Sequence, residues 1–346
     1  MTAQDRTRNA PAPPKPLRVL VTGASGRIGT HVVREMVDRG HTVIGLDARD
    51  PTAPVPGAQY LRLRLEDLQP GQPELAGVDT VLHLAALMSW STDDAAAMMH
   101  ANVDGTFRLV QATALDKPLH RFVFASSGEV YPEMAPQYLP LDEHHPLRPS
   151  SYYGMTKLLG EQMLAFYERE FHLSLTVLRF SHVQDPTEVL DPDSFFSGPR
   201  FFIRPRLARE RAAGNSAMVK ALTPYDGPTD TLFAATREDG APVRMTILAA
   251  QDMARAVRMA GELPQAEGQT FGIGPDDAID LAEFARQMSA RTGLPVVEVT
   301  VPNTAANYWT LNAKAREVMG FRPSIDSLRF IDLAVASWRE RHSSAV

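Results

Sequence analysis

Cysteine is absent from all 346 residues of the sequence, which excludes disulfide bonds and thiol catalysis. Excess positive charge is missing too: 35 lysines and arginines stand against 41 aspartates and glutamates, for a formal net charge of -6 and a pI near 5.9. That balance leaves no electrostatic footprint for nucleic acid or for an anionic membrane. No uninterrupted apolar run approaches the length of a membrane span, and the first residues lack the apolar core of a signal peptide. The expectation is a cytoplasmic protein with neither nucleic acid nor membrane as partner. What is present is a hydrophobic fraction of 44%, ample for one large or two modest domains. Residues 1–16, with prolines scattered among polar residues, read as a disordered leader.

The stretch that organises the rest is Val19-Leu20-Val21-Thr22-Gly23-Ala24-Ser25-Gly26-Arg27-Ile28-Gly29. An apolar run from Leu17 to Val21 reads as a strand and a glycine-rich turn follows. Ile28, Val32, Val33, Met36 and Val37 then recur with the period of a helix. Strand, loop and helix predict a phosphate site. Gly23 lets the chain reverse, Gly26 lets a pyrophosphate approach the backbone, and Gly29 lets the helix lie close on the strand. The helix N-terminus offers N–H groups and the positive end of its dipole. Ser25, Arg27 and Ile28 of the same loop join the glycines as candidate cofactor-binding residues. The spacing is G-x-x-G-x-x-G rather than G-x-G-x-x-G, and it gains weight from a second apolar run, His41 to Leu46, that ends in Asp47. This is about where a carboxylate meets the adenosine ribose hydroxyls. A carboxylate there repels a 2′-phosphate and favours NAD over NADP, although Arg49 lies close by.

Tyr60 to Leu65 reads as a third strand. Val78 to Ala86 reads as a fourth, nearly all apolar and so buried on both faces. Its last residues, Leu84, Ala85 and Ala86, suit a wall against which a cofactor lies. A helix is expected from about Thr92 to Leu115, then a fifth strand, Arg121 to Ala125, running into Ser126-Ser127-Gly128-Glu129-Val130-Tyr131. Residues 131–150 form an irregular loop whose Asp142, Glu143, His144 and His145 read as solvated, because adjacent histidines do not easily face one metal. A helix from Ser151 to Phe171 and a sixth strand from Leu173 to Phe180 complete the alternation. It predicts an α/β fold, a Rossmann-type doubly wound parallel sheet with ligands at the strand C-termini.

Tyr153 and Lys157 stand four apart and so share one face of their helix. A free tyrosine titrates near pH 10, too high for efficient proton transfer at neutrality, and a neighbouring ammonium is expected to lower that value. Ser127, at the end of the fifth strand, can donate a hydrogen bond to the same substrate oxygen. Serine polarises, tyrosine moves the proton and a nicotinamide takes or gives the hydride. Alone, the Tyr-x-x-x-Lys spacing also fits a core tyrosine beside a solvated lysine; its place after the glycine loop and the strand-end serine favours the catalytic reading.

These residues together resemble the extended short-chain dehydrogenase/reductases, and within them the NAD-dependent epimerase/dehydratase family, from about Leu17 to about Ile331. Thr22 to Gly29 matches T-G-x-x-G-x-x-G, His83 to Ala86 matches H-x-A-A, and Asn102-Val103-Asp104-Gly105-Thr106 matches the family's helix motif. Ser126 to Tyr131 matches S-S-x-x-V-Y, and Tyr153 and Lys157 match Y-x-x-x-K, with Glu161 at the glutamate that follows. The resemblance implies NAD as cofactor, Asp67 beside Leu68 as the adenine contact, and Asn102 as a further cofactor-site residue. It implies Ser127, Tyr153 and Lys157 as the catalytic residues. It also implies a homodimer through the helices at 92–115 and 151–171. The NAD-binding domain would span 17–180 with 243–274 returning to it, and a smaller substrate-binding α/β region would comprise 181–242 and 275–346.

Departures bear on the substrate. His182 and Gln184 stand where the family has an asparagine and a tyrosine. Gly128-Glu129 stands where dehydratases of the family have Asp-Glu, which argues against 4,6-dehydration. Residues 185–242 lack strand–helix alternation and crowd Arg200, Arg204, Arg206, Arg209 and Arg211 among Phe201, Phe202 and Ile203. That cluster reads equally as an anion site or as a solvated helix face. Arg244 is the arginine that the resemblance places on a nucleotide diphosphate, yet Pro242 replaces the usual glutamine. Ser89, Gly128, Glu129, His182 and Arg244 are the candidate substrate residues, Trp90 could border them, and Asp252 reads as a helix cap. The leading expectation is an NAD-dependent oxidoreductase/epimerase acting on a sugar hydroxyl, most simply a nucleotide-sugar 4-epimerase-like enzyme. A dehydrogenase or reductase of a sugar acid or other non-nucleotide substrate is the alternative, and a non-catalytic NAD sensor the second.

Overall fold

The computed structural model describes residues 15–114, 118–132, 135–303 and 307–343. The expected leader lies almost wholly outside them, as does Leu115 at the end of the expected second helix.

The first half alternates strand and helix: β1 (Arg18–Thr22), α1 (Arg27–Asp38), β2 (Thr42–Asp47), β3 (Ala58–Arg62) and β4 (Thr80–His83). The expected helix after β4 consists of α2 (Ala95–Met99), a π-helical turn (His100–Asp104) and α3 (Gly105–Thr113). Then come β5 (Arg121–Ser127), α4 (Tyr152–Phe171), β6 (Leu175–Phe180) and β7 (His182–Gln184). Residues 185–242, expected to lack regular alternation, hold α5 (Gly198–Phe201), α6 (Ile203–Ala212), α7 (Ser216–Leu222) and β8 (Leu232–Arg237). The chain ends through β9 (Arg244–Met245), β10 (Ile247–Ala249), α8 (Ala250–Glu262), β11 (Gln269–Ile273), β12 (Ile279–Asp280), α9 (Leu281–Thr292), β13 (Val296–Val301) and α10 (Ser327–Ser343).

Seven parallel strands form the main sheet in the order β11-β6-β5-β4-β1-β2-β3. Every residue of β4 is buried, which explains why it reads as a continuous apolar run rather than an alternating one. α1 buries Gly29, Val32, Val33 and Met36, the stripe that its period predicts. One face of the sheet packs on α1 and α8 through Val32, Met36, Met253 and Val257. The other packs through Leu109, Val110 and Leu164 of α3 and α4. A further apolar core joins α5, α6, α7, α9 and α10 to β8 and β13.

The order reverses between β1 and β4, so the cleft opens at the C-terminal ends of these two strands. Buried side chains lock that edge. The Thr22 hydroxyl lies 2.7 Å from His83 Nδ1, and His83 Nε2 lies 2.8 Å from the Thr106 hydroxyl. Thr106 donates to the Asn102 carbonyl, so it accepts from Nε2–H and Nδ1 is left to accept from Thr22. Burial, with help from Lys157, drives the His83 pKa down to about 3, which keeps the ring neutral in this role. On the far side Glu161 of α4 accepts from Arg179 of β6 at 2.8 Å and from Ser126 of β5, tying helix to sheet.

Two local expectations are corrected. Asp252 is no N-terminal cap: it sits at the third residue of α8, where its carboxylate accepts from the Ser324 and Ile325 N–H groups at 2.9 Å and pairs with Arg255. It anchors a loop 72 residues away in sequence. His145 is not solvated but buried, stacked edge-on to Tyr131, with Nε2 accepting from the Gln137 N–H. A carboxylate neighbour behaves alike, since Glu143 accepts from the Gly272 N–H at 2.7 Å. Among the described residues no group of three His, Asp or Glu side chains could hold a metal, and no helix is long and apolar enough to cross a membrane.

Candidate active site

A cavity of about 660 Å³ lies between the glycine loop and the ends of β2 and β3. Its walls include Gly23, Gly26, Asp47, Arg49, Leu65, Glu66, Leu84, Ala85 and Ala86. Gly23 has φ +71°, a conformation that disfavours any side chain, and a Cβ on Gly29 would come within 1.9 Å of the Gly23 carbonyl oxygen. Strand and helix therefore meet without side chains between them. Gly26 caps α1 with no side-chain hydrogen bond at its N-terminus. Asp47 accepts from the Ser25 N–H at 3.1 Å and from the Arg49 N–H at 3.0 Å, which fixes the carboxylate at the end of β2. Ser25 turns its hydroxyl to the Arg49 carbonyl.

Some expected cofactor residues stand elsewhere. Leu68 is packed in the core, and the cavity wall carries Leu65 and Glu66 rather than Asp67 or Leu68, because residues 65–67 form a short 3-10 turn. Asn102 is buried in the π-helical turn, where its amide donates to the Leu87 carbonyl and to Thr156. It ties the segment after β4 to α4 without reaching either cavity.

A second cavity, of about 320 Å³, continues from the first past Gly23, Gly26 and Phe196. It brings together Arg27, Ile28, Gly29, Ser127, Glu129, Tyr153, Lys157, His182, Arg200 and Arg209. Ser151 caps α4 by accepting from the Gly154 N–H at 2.9 Å and donates to the Glu129 carboxylate at 2.5 Å. A Cβ on Gly154 would meet the Glu129 carbonyl oxygen at 2.2 Å. That close approach sets the first turn of α4, and so Tyr153, against the end of β5. Ser127 there accepts from the Glu129 N–H at 3.1 Å.

The electrostatics reverse one expectation. Burial, aided by the Glu129 charge, pushes the Tyr153 phenol up from its ordinary value, not down. Lys157 cannot offset this, because its ammonium donates to the Ala125 carbonyl at 2.8 Å and burial brings its own pKa down to about 7. Burial likewise raises the Glu129 carboxyl, against the Ser151 hydroxyl and the Arg209 and Arg200 charges.

At the far end the wall is made of side chains. Arg200 donates to His182 Nδ1 at 3.2 Å, and His182 Nε2 lies 2.7 Å from the Tyr308 hydroxyl. Burial and the charges of Arg200 and Arg209 hold His182 far below its ordinary pKa. Arg209 lies 4.0 Å above the Trp90 ring, which stacks on Phe195 at 4.3 Å. Arg27 lies 4.2 Å from the Phe196 ring and pairs with Glu188. Arg206, Arg244 and Tyr308 line an adjoining pocket of about 120 Å³ together with His182, Arg200 and Arg209. Ser89 and Gly128 are not in these walls. The Ser89 hydroxyl donates to Asp94 in a surface turn, leaving its neighbours Met88 and Trp90 at the cavity, and Gly128 is buried under the Phe180 carbonyl.

Phe195, Phe196 and Tyr308 escaped the sequence reading. They come from stretches without a periodic signal, and Tyr308 lies 126 residues from the histidine it meets.

Comparison with known proteins agrees with this architecture. A short-chain dehydrogenase/reductase superfamily protein from Agrobacterium tumefaciens, crystallised with bound NAD, superposes with a TM-score of 0.87 at 42% identity, covering 95% of this chain and 99% of that one. An uncharacterised UDP-glucose epimerase of Bacillus subtilis is 26% identical over 335 residues, 89% of this chain and 93% of the relative. UDP-glucose 4-epimerase of Thermotoga maritima, solved with UDP-glucose, shares the fold at a TM-score of 0.73 and 23% identity, covering 94% of this chain and all of that one. The model of the NAD-dependent epimerase/dehydratase family matches residues 19–274, and this chain belongs to that family.

Proposed function

We propose that this protein uses NAD to oxidise a secondary hydroxyl of a sugar and returns the hydride to the same carbon, the cycle of a nucleotide-sugar 4-epimerase-like enzyme. One observation carries the reading: Ser127, Tyr153 and Lys157 line a single cavity that runs on from the glycine loop. The residues fit the cofactor, since Gly29 leaves no space for a side chain under the loop and Asp47 presents a fixed carboxylate to a ribose. NAD, when bound, supplies the hydride acceptor and a positively charged ring.

Tyr153 is the residue that takes the substrate's proton, and Ser127 holds the substrate oxygen by a donated hydrogen bond. Burial, aided by the Glu129 charge, keeps the proton on Tyr153 in the protein alone; the positively charged ring that NAD supplies when bound would work against it. Lys157 also stands where it can hold a ribose hydroxyl. His182, Glu129 and Arg244 would face the sugar and its substituents, with residues 181–242 and 275–346 as the substrate region.

Net oxidation of a sugar acid or other non-nucleotide alcohol is the second reading. It is favoured by the arginine-held His182 at the position where the family has asparagine. A redox sensor would need the glycine loop but not the trio. The exposed Phe107 and Phe166, beside an open groove lined by Met99, Val103 and Met163, support a homodimer through α2, α3 and α4 in a cytoplasmic protein.

The test is Tyr153→Phe. Turnover, followed by absorbance near 340 nm and by isomer analysis, should fall by roughly 10²- to 10⁴-fold while NAD still binds. Undiminished turnover in that variant overturns the assignment.

A further inference from the structure

We propose that Arg200 and Arg209, backed by His182 and Tyr308, form a receptor for a compact oxyanion on the substrate itself, a carboxylate or phosphate monoester joined to the carbon chain that is oxidised. The inference rests on the hydride-transfer reading above and, within it, selects the second substrate class, a free sugar acid or sugar phosphate, over the nucleotide-linked sugar.

Position comes first. Arg200 and Arg209 line the cavity that holds Ser127, Tyr153 and Lys157, and they also line the adjoining pocket, so they stand at the junction of the two. A group seated on them is therefore within one small molecule's length of the reacting hydroxyl.

Charge comes second. Among the described residues, the adjoining pocket is walled by Arg200, Arg206, Arg209 and Arg244 and by no carboxylate; apart from His182 and Tyr308 its other walls are apolar. Arg206 pairs with Glu210 outside it, and Glu129 acts on Arg200 and Arg209 from the reaction cavity. Guanidinium forks against apolar walls favour an oxyanion, which they can grip through two parallel hydrogen bonds.

The arrangement is held in place before any ligand arrives. Because His182 is kept neutral, its Nδ1 lone pair accepts from Arg200 while Nε2–H donates to the Tyr308 hydroxyl, and this chain aims the Arg200 fork. Arg209 rests on Trp90, itself stacked on Phe195.

Size separates the oxyanions. The adjoining pocket measures about 120 Å³, whereas a cavity of about 150 Å³ holds a molecule the size of benzene. It accommodates a carboxylate or phosphate with a carbon or two. A nucleoside diphosphate shares the phosphate chemistry but is larger than this pocket, whose wall includes Met218 of α7.

The experiment uses the NAD-loaded protein with matched sugars: a free uronate, a sugar phosphate, the neutral sugar, and the uridine-diphosphate forms of the uronate and the neutral sugar. We expect the free uronate or the sugar phosphate to have the highest kcat/KM, and whichever leads names the oxyanion. Arg209→Met and Arg200→Met should each lower the preference for anionic over neutral sugar by roughly 10- to 150-fold, mainly through KM. A neutral sugar used as well as the anionic one, or a nucleotide-linked form used better than the compact one, overturns the inference while leaving hydride transfer standing.

A binding measurement covers the case in which no sugar turns over. Tryptophan fluorescence, reporting Trp90 beneath Arg209, is titrated with glucuronate and with inorganic phosphate. Saturable binding that weakens at least tenfold in Arg209→Met, with circular dichroism and NAD affinity unchanged, supports the receptor even if hydride transfer fails. Absence of saturable binding, or binding indifferent to both arginine substitutions, overturns it.

Discussion

The two ends of the cleft are built from different material. At the cofactor end the wall is main chain and the absence of side chains: Gly23 at φ +71°, Gly29 with no space for a Cβ, and an Asp47 carboxylate held by two N–H groups. At the substrate end it is a lattice of large side chains, Arg200, Arg209, His182, Tyr308 and Trp90, drawn from five separate stretches. An end made of backbone tolerates almost no change in shape. An end made of side chains can be rewritten residue by residue without disturbing the fold. The sharpest way to break the contrast is Gly29→Val. The added atoms meet the Gly23 carbonyl oxygen rather than a movable side chain, so NAD affinity should drop by more than about 100-fold and stability by about 3 kcal/mol or more. NAD titration and thermal unfolding measure both. Unchanged binding would show that loop and helix can separate, and the contrast would fall.

The same difference governs how much could be read from sequence. The phosphate loop, the strand-end Asp47 and Ser127, and the Tyr153–Lys157 pair sit at fixed spacings inside single strand–turn–helix units, so local pattern suffices to place them. Gly154 and Ser151 belong to the same class, fixing the first turn of α4 by contacts a few residues away. What was not legible depends on segments meeting from afar. Asp252 has the local look of a cap, yet its partners are Ser324 and Ile325. His145 sits in a polar, proline-rich loop and is nonetheless buried against Tyr131. The ionisation of Tyr153 is illegible for a related reason: spacing shows that a lysine is near, but not that burial raises the phenol and disfavours the ammonium beside it.

Lys157 joins the two ends, and pH sharpens the comparison there. Burial lowers its pKa from 10.5 to about 7 in the folded chain. Between those values the unfolded chain binds the extra proton, so stability rises with pH across the window. The destabilising contribution is present in full below about pH 7 and fades as pH approaches 10.5. Lys157→Met removes this contribution along with the bond to Ala125. The melting temperature of the variant minus that of the native chain should therefore be greatest at about pH 6 and fall steadily toward about pH 10. A difference independent of pH would mean that Lys157 is solvated in the free protein.

The smallest effect is expected where the backbone-built end has its one discriminating side chain. Asp47 lies in the same wall as Arg49, Arg64 and Glu66, and Arg64 pairs with Glu66 at 2.8 Å, so the Asp47 carboxylate chiefly opposes the Arg49 cation. With the carboxylate present, a 2′-phosphate meets repulsion at the position where a ribose hydroxyl finds an acceptor. Asp47→Asn removes that repulsion, keeps one side-chain oxygen to accept from either the Ser25 or the Arg49 N–H, which the carboxylate serves with separate oxygens, and leaves both arginines in place. The ratio of NAD to NADP affinity should then shift by about tenfold toward NADP, worth about 1.4 kcal/mol, with little change in stability. Titrating each cofactor against both proteins measures the ratio. A shift confined to weaker NAD binding, with no gain for NADP, would mean that Asp47 acts by holding the loop rather than by its charge, and even this side chain would then count as part of the scaffold.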